Sequence, residues 1–313
     1  MTFAKLEPKL APGTQPFVQL RKAGAVYVDK TAYVYELALN EFPQFLMRPP
    51  HLGKSTLLAT IEELFRHGVK PYDNHPSLFT GLAIEHLWHD IGHYLVLHLD
   101  FNELNSDCTT ASAFERHLMN YVTSFCREHK IELAKKLVAE PQRFRELFSA
   151  MLELVPNRSL VLLIDNCDVP LLYHGANEQE LVICRLLMRG IFSVIKRHSN
   201  KFRCVVVTGE TSFRKLDLDA AGNSFTDLSF EKGFAACCGY TRAELKQYFV
   251  PQLRAAAAFR VDCAHEVVSA EQVEALLDEL EEGYEGFAFA PDAPQLKVYS
   301  HEAVQRFLGA AMT

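Results

Sequence analysis

No apolar run reaches the length that a membrane-spanning helix needs, and the start, Met1 to Pro8, lacks the apolar core of a signal peptide. A cytoplasmic chain with no membrane partner is expected. Cysteines at metal or redox spacing are missing too. The eight cysteines, Cys108, Cys126, Cys167, Cys184, Cys204, Cys237, Cys238 and Cys263, form no C-x-x-C. Several sit in apolar strand or helix patterns, where a thiol behaves as a small hydrophobe, so the expectation is a reduced chain and not a disulfide scaffold. The thirteen histidines show no H-E-x-x-H or comparable ligand spacing, and no zinc site is expected. There is no excess of basic residues: the net charge of −7 does not indicate a nucleic-acid partner and leaves room only for a local patch. Repeats and low-complexity linkers are absent. What is present is an ordinary globular balance, 313 residues with 49% hydrophobic and 23% charged, ample for one large core or two domains.

Strands and helices alternate along most of the chain, the pattern of an α/β sheet with crossover helices. A short apolar strand enters the turn Arg48-Pro49-Pro50-His51-Leu52-Gly53-Lys54-Ser55. The next stretch, Thr56 to His67, sets Leu57, Leu58, Ile61, Leu64 and Phe65 on one helical face, with Gly68 as a natural stop. Further strands are expected at Tyr94–Asp100, Leu160–Asp165 and Arg203–Thr208. Helices are expected at about 111–135, 142–154 and 178–198. Beyond Asp227 the pattern turns helical. Thr241-Arg-Ala-Glu244 and Ser269-Ala-Glu-Gln272 are capping boxes. The first opens a helix expected to stop near Pro251, the second one with Val273, Leu276, Leu277 and Leu280 on one face; a last helix is expected at about His301 to Leu308. The expected domains are an N-terminal segment 1–40, a core 41–230 and a helical lid 231–313.

Strand, loop, Gly-Lys-Ser and helix together make a device for holding nucleotide phosphates. Helix N-terminal amides meet the anion, Lys54 reaches the β- and γ-phosphates, and the Ser55 hydroxyl ligates Mg²⁺. The loop departs from G-x-x-x-x-G-K-[ST] in having Arg48 for the first glycine and two prolines without an N–H. Gly-Lys-[Ser/Thr] alone is a weak signal, and most such matches are ordinary capped turns. Val161-Leu162-Leu163-Ile164-Asp165 has the form of a Walker B strand, in which four apolar residues deliver a carboxylate beside the loop to hold Mg²⁺ with Ser55. By itself it reads more readily as a buried strand ending in a helix-capping Asp, and only the phosphate loop beside it turns the balance. Thr208-Gly209, at the end of the next buried strand, is a candidate sensor.

These pieces resemble the AAA-ATPase-like family of bacterial P-loop proteins, often fused to a PD-(D/E)XK nuclease-like region. Tyr27-Val28-Asp29-Lys30-Thr31 is similar to its Y-V-D-K-T, and Arg48-Pro49 with Gly53-Lys54-Ser55 to its R-P-R-R-F-G-K-S. Leu78-Phe79-x-Gly81-Leu82 and Leu99-Asp100-Phe101 match further segments. Leu163-Ile164-Asp165-x-x-Asp168-x-Pro170 resembles L-I-D-E-Y-D-K-P. Thr208-Gly209 with Phe213 and Lys215, then Asn223 and Asp227, follow in family order, as do Cys238-Gly239-Tyr240-Thr241 with Glu244-Leu245, and Val298-Tyr299. The resemblance implies an additional-strand P-loop NTPase sheet, AAA/STAND-like, parallel and sandwiched by helices, with the sensor strand between the two Walker strands and a C-terminal helical lid. It implies ATP or ADP with Mg²⁺ as ligands. The loop residues Arg48, Pro49, Pro50, His51, Leu52, Gly53, Lys54, Ser55 and Thr56 would contact nucleotide. Ser55 and Asp165 would contact the metal, and Asn166, Asp168 and Thr208 would stand at the chemistry.

Departures from the family pattern gather at that chemistry. Pro50 and His51 replace two arginines, Asn166 the usual Glu, Cys167 and Val169 a Tyr and a Lys, and Ser224 an Asn. An amide orients water but is not a base at neutral pH, so general-base help worth about 10²–10⁴-fold is in question, unless Asp168 or Asp100 supplies the carboxylate. Arg203, Arg214 and Arg242 are candidate arginine fingers. Pro291-Asp292…Gln295-Leu296-Lys297 has a glutamine where a nuclease needs an acid and is read as a loop, so no nuclease domain is expected. Two functions follow: a nucleotide-dependent switch with weakened or lost hydrolysis, or a nucleotide-independent pseudo-ATPase scaffold for a protein or nucleic-acid partner.

Overall fold

The computed structural model describes residues 16–72, 76–106, 108–134, 143–173, 177–260 and 267–310. Met1 to Pro8, Cys263, and the outer ends of the helices expected to reach 135 and to begin at 142 lie outside them. Helices α1 (Phe17–Lys22) and α2 (Thr31–Leu39) precede strand β1 (Gln44–Met47) and helix α3 (Lys54–His67). Then come β2 (Leu95–Asp100), α4 (Phe101–Asn105), α5 (Ala111–Glu128), α6 (Phe144–Leu154), β3 (Leu160–Asp165), α7 (Val169–Tyr173), α8 (Glu178–Arg197) and β4 (Phe202–Gly209). The short α9 (Asp219–Gly222) and β5 (Thr226–Asp227) complete the sheet region.

All sheet pairings are parallel, in the order β2-β3-β4-β1-β5. The strand ending in Thr208-Gly209 therefore lies between β1 and β3, the order that the resemblance implies, and the architecture is consistent with a P-loop-like fold. β3 reads as an unbroken apolar run because both its faces are covered. Leu160, Leu162 and Ile164 pack with Phe114, Phe148 and Ile191 of α5, α6 and α8. Val161 and Leu163 pack on the other face with Val34, Leu58 and Ile61 of α2 and α3. Residues 16–40 belong to this packing too, through Phe17, Val34 and Leu37.

Past the sheet, α10 (Arg242–Tyr248), α11 (Val250–Arg260), α12 (Ala270–Gly283) and α13 (His301–Ala310) form a cluster with its own core of Leu245, Phe249, Leu253, Leu277, Leu280 and Phe307. Both capping boxes are made, at Thr241 and at Ser269. The helix opened by Thr241 ends at Tyr248, near Pro251 as expected, and Pro251 itself sits in the first turn of α11, where its missing N–H costs nothing. α5 ends earlier than expected, at Glu128, because Lys130 takes a left-handed conformation (φ 56°) and the Ile131 amide bonds back to the Cys126 carbonyl. Several features have no counterpart in the sequence reading, among them helices α1, α2 and α11. The same holds for the two-residue edge strand β5 and for an antiparallel hairpin of β6 (Phe287–Ala288) with β7 (Lys297–Val298), whose connection carries Pro291 and Asp292. Among the described residues no helix is long and apolar enough to cross a membrane. The seven described cysteines are buried and in no disulfide.

Candidate active site

The loop after β1 turns sharply, with His51 at φ 61° and Gly53 at φ 93°. Gly53 is the N-cap of α3, and no side chain caps that helix. By contrast α5, α8, α10 and α12 are each capped by a side chain, from Thr110, Asn177, Thr241 and Ser269. The first turn of α3, like those of α1 and α6, therefore has no N-cap side chain over its amides, the arrangement that suits an anion. Lys54 is folded back over the loop, 5% exposed. Its Nζ donates to the carbonyls of Arg48 (2.9 Å) and Pro49 (3.1 Å) and to Glu210 Oε1 (3.2 Å). Ser55 stands exposed beside it.

Arg48 requires a correction. Its carbonyl lines the loop, but its side chain leaves it. The guanidinium is fully buried and donates to the carbonyls of Met47 (2.7 Å), Ser229 (2.7 Å) and Phe234 (2.8 Å), with its Cζ 3.9 Å from the centre of the Phe289 ring. It ties β1 to the chain entering the helical cluster and offers nothing to a phosphate.

The carboxyl ends of β2, β3 and β4 bring the polar residues together. Asp100 and Asp165 are register partners. Thr208, on β4, donates its hydroxyl to Asp165 Oδ1, which also accepts the Asn166 amide (3.0 Å). Asn166 is itself left-handed (φ 55°), and its Nδ2 donates to Asp100 Oδ1 at 3.0 Å. The amide is thereby turned along the sheet edge onto β2. Asp168 is a second correction. It is wholly buried, its Oδ2 accepts the Glu210 amide (2.8 Å), and it does not line the cleft. Its role is to pin the chain after β4. Cys167 beside it is no nucleophile, because burial and the Asp168 and Asp165 charges push its thiol well up.

A cleft of about 920 Å³ opens over this edge, lined by Lys54, Ser55, Thr56, Asp100, Asp165, Asn166 and Glu210, and extending to Glu62, His98 and Tyr121. His98 Nδ1 lies 2.7 Å from Glu62 Oε2. Burial alone would raise the Glu62 carboxyl, but His98 and Arg66 outweigh it and hold it below its ordinary value. Glu210, like Glu62, His98 and Tyr121, is a cleft residue that sequence reasoning missed. For Glu210 the available signal was a charged residue immediately after a Thr-Gly strand end. Of the arginine candidates, Arg203 bonds the Ala38 carbonyl and Asp90, away from the cleft, and Arg242 pairs with Glu274, Asp278 and Glu281.

The other face of the loop is fastened to the helical cluster. The Gly239 amide donates to the Leu52 carbonyl (2.7 Å), and the His301 amide to the His51 carbonyl (3.2 Å). Gly239 has φ 76°, and a Cβ there would meet Leu52 Cδ2 at 2.7 Å and the Tyr299 carbonyl oxygen at 3.1 Å, so only glycine fits. Nearby, Lys30 Nζ donates to the Ala236 carbonyl (2.8 Å) and Glu244 Oε1 (2.5 Å), while Glu244 Oε2 accepts the Thr241 amide (2.8 Å). Asp29 caps α2 through the Thr31 amide (2.8 Å) and holds the Ala83 amide (2.7 Å).

Comparison with known proteins places this geometry in context. The family model described as Predicted AAA-ATPase matches residues 11–219. A curated relative, "Uncharacterized protein in vnfD 5'region" of Azotobacter chroococcum mcd 1, is 29% identical over 246 residues. The match takes in 78% of this chain and 45% of the relative, so the chain spans about half the relative's length. No solved structure matches.

Proposed function

We propose that this chain, which belongs to the Predicted AAA-ATPase family, binds ATP or ADP with Mg²⁺ in the cleft before α3 and uses the ligand as a switch acting on the helical cluster. The observation that carries the reading is Lys54, a nearly buried ammonium folded onto two loop carbonyls in front of a helix whose N-terminal amides have no cap. A cation in that place is supplied with weak neutral acceptors and one carboxylate, and a triphosphate offers it a stronger partner. The loop and the Asp165 strand would then act as Walker A and Walker B segments. Ser55 and Asp165 suit Mg²⁺, which keeps several waters and takes one or two carboxylates besides phosphate oxygens. Among the described residues no group of three or more His, Cys, Asp or Glu side chains gathers as a cation cage, so phosphate oxygens would complete the coordination.

Asn166 supports slow rather than fast hydrolysis, because it carries an amide and that amide is held by Asp100. The switch reading rests on the two amides, Gly239 and His301, that grip the loop carbonyls at Leu52 and His51. A ligand that reshapes the loop must bind the two positions of the cluster with different affinity to move it. Calorimetric titration with ATP·Mg²⁺ is the test. The expected result is binding by the native chain and its loss in Lys54→Ala. No heat from the native chain at millimolar nucleotide would leave the scaffold reading, in which the same fold serves a protein or nucleic-acid partner without nucleotide.

A further inference from the structure

We propose that Glu210 is the carboxylate that activates the attacking water, in place of the acid absent at position 166; the inference rests on the nucleotide reading above. Glu210 follows Thr208 and Gly209 at the carboxyl end of β4, the strand between β1 and β3. Its Oε1 is 3.2 Å from Lys54 Nζ. A γ-phosphate held by that ammonium would therefore lie within reach of the carboxylate across one water, the geometry a general base requires.

The position is built, not accidental. The Glu210 amide is fixed at 2.8 Å by Asp168, a carboxylate with no exposed surface. Gly209 before it permits the close approach: a Cβ there would meet Cys167 Sγ at 3.1 Å and Asp168 Oδ1 at 3.2 Å. The other acids at this edge are committed. Asp165 accepts from Thr208 and the Asn166 amide, Asp100 accepts from the Asn166 side chain and the Asn102 amide, and Asp168 is sealed. The Glu210 carboxylate pairs with Lys54, the group a triphosphate would claim. Binding thus frees this acid at the moment it is needed. In the step, Glu210 takes a proton from water as the water oxygen bonds to the γ-phosphorus. The bond from that phosphorus to the β–γ bridging oxygen breaks, and ADP, phosphate and the proton leave.

The test measures ATP·Mg²⁺ binding by calorimetry and phosphate release by the same samples of native chain, Glu210→Gln, Glu210→Asp and Glu210→Ala. Glu210→Gln should bind as tightly as the native chain or more tightly, and release phosphate about 10²-fold more slowly. Glu210→Asp should keep part of the rate, and added formate should restore turnover to Glu210→Ala, which a structural role would not allow. Native binding with turnover unchanged in Glu210→Gln, or with no native turnover, overturns the inference while the nucleotide site stands. Absence of native binding removes the site and the inference together.

Discussion

At the junction between β1 and the helical cluster, the buried cations are held by several acceptors each, although Arg48 Nε is left unbonded. Arg48 is shared among three carbonyls, an aromatic ring and Cys237, and Lys30 is shared between a carbonyl and Glu244. The hydrogen bond between Cys237 and Cys238, set against burial and helped by the Arg48 and Lys30 charges, holds the Cys237 thiol below its ordinary value. Less than ten residues along the chain from Arg48, the cleft is arranged differently. Lys54 rests on neutral carbonyls, an exposed hydroxyl stands at Ser55, a helix end is uncapped, and Asn166 is left-handed. Of the family-like residues, Lys30, Arg48, Gly239 and Glu244 serve the junction, while Lys54, Ser55 and Asp165 line the cleft. Of the departures, Pro50, His51 and Asn166 line the cleft and Cys167 is buried beside it, whereas Val169 and Ser224 do not line it. A junction whose bonds depend on one another tolerates little change, because losing one partner strands the rest. A cleft whose groups wait for a ligand tolerates substitution in folding terms and registers it in chemistry.

Three experiments press on that contrast, the largest effect first. Arg48→Ala strips donors from the buried carbonyls of Ser229 and Phe234 and opens a void beneath Phe289, at a cost of about 4 kcal/mol. Urea denaturation reads it; a loss below about 1 kcal/mol would show the junction to be as permissive as the cleft. Asn166→Glu comes next. The substituted carboxylate would stand beside Asp100 in a backbone conformation that favours Asn, costing about 1–2 kcal/mol and raising one of the two acids. Asp100→Asn in the same chain should recover at least half of that loss, and a double-mutant cycle gives the coupling. Replacing the amide alone therefore does not restore a working base, and additive energies in the cycle would break this account. Thr241→Ala is the smallest, about 1 kcal/mol for a lost cap. Its hydrogen-exchange signature should be faster exchange in α10. The same measurement with and without nucleotide examines the switch: protection confined to the loop around Lys54, with none across 231–260 and 267–310, would uncouple the two regions.

Much of the fold was legible because its cues are local. Leu160–Asp165 is a strand because six residues with only a terminal acid must be covered on both faces, and Thr241 and Ser269 start helices because their oxygens reach amides three residues on. Pro251 marked the end of α10, but the helix that it opens, α11, was not legible, since proline stops one helix and opens another with the same chemistry. β5 escaped because two exposed residues carry no period, and the β6–β7 pair for the same reason. In the site, Lys54, Ser55, Asp165 and Asn166, singled out from type and spacing, line one cleft, with the buried Thr208 bonded to Asp165 behind it. The fates of Arg48, Asp168 and Glu210 were not legible. Each is a charged side chain whose direction depends on which carbonyl, amide or ammonium the tertiary fold sets beside it, and no spacing encodes that.

Lys54 has one further consequence. With its ammonium already held by the carbonyls of Arg48 and Pro49 and by the Glu210 side chain, the loop is its own resident inhibitor, at an effective concentration that no dilution lowers. A nucleotide entering the cleft meets a competitor covalently attached to the receptor, and its measured affinity is the intrinsic one multiplied by the fraction of molecules in which that internal contact is open.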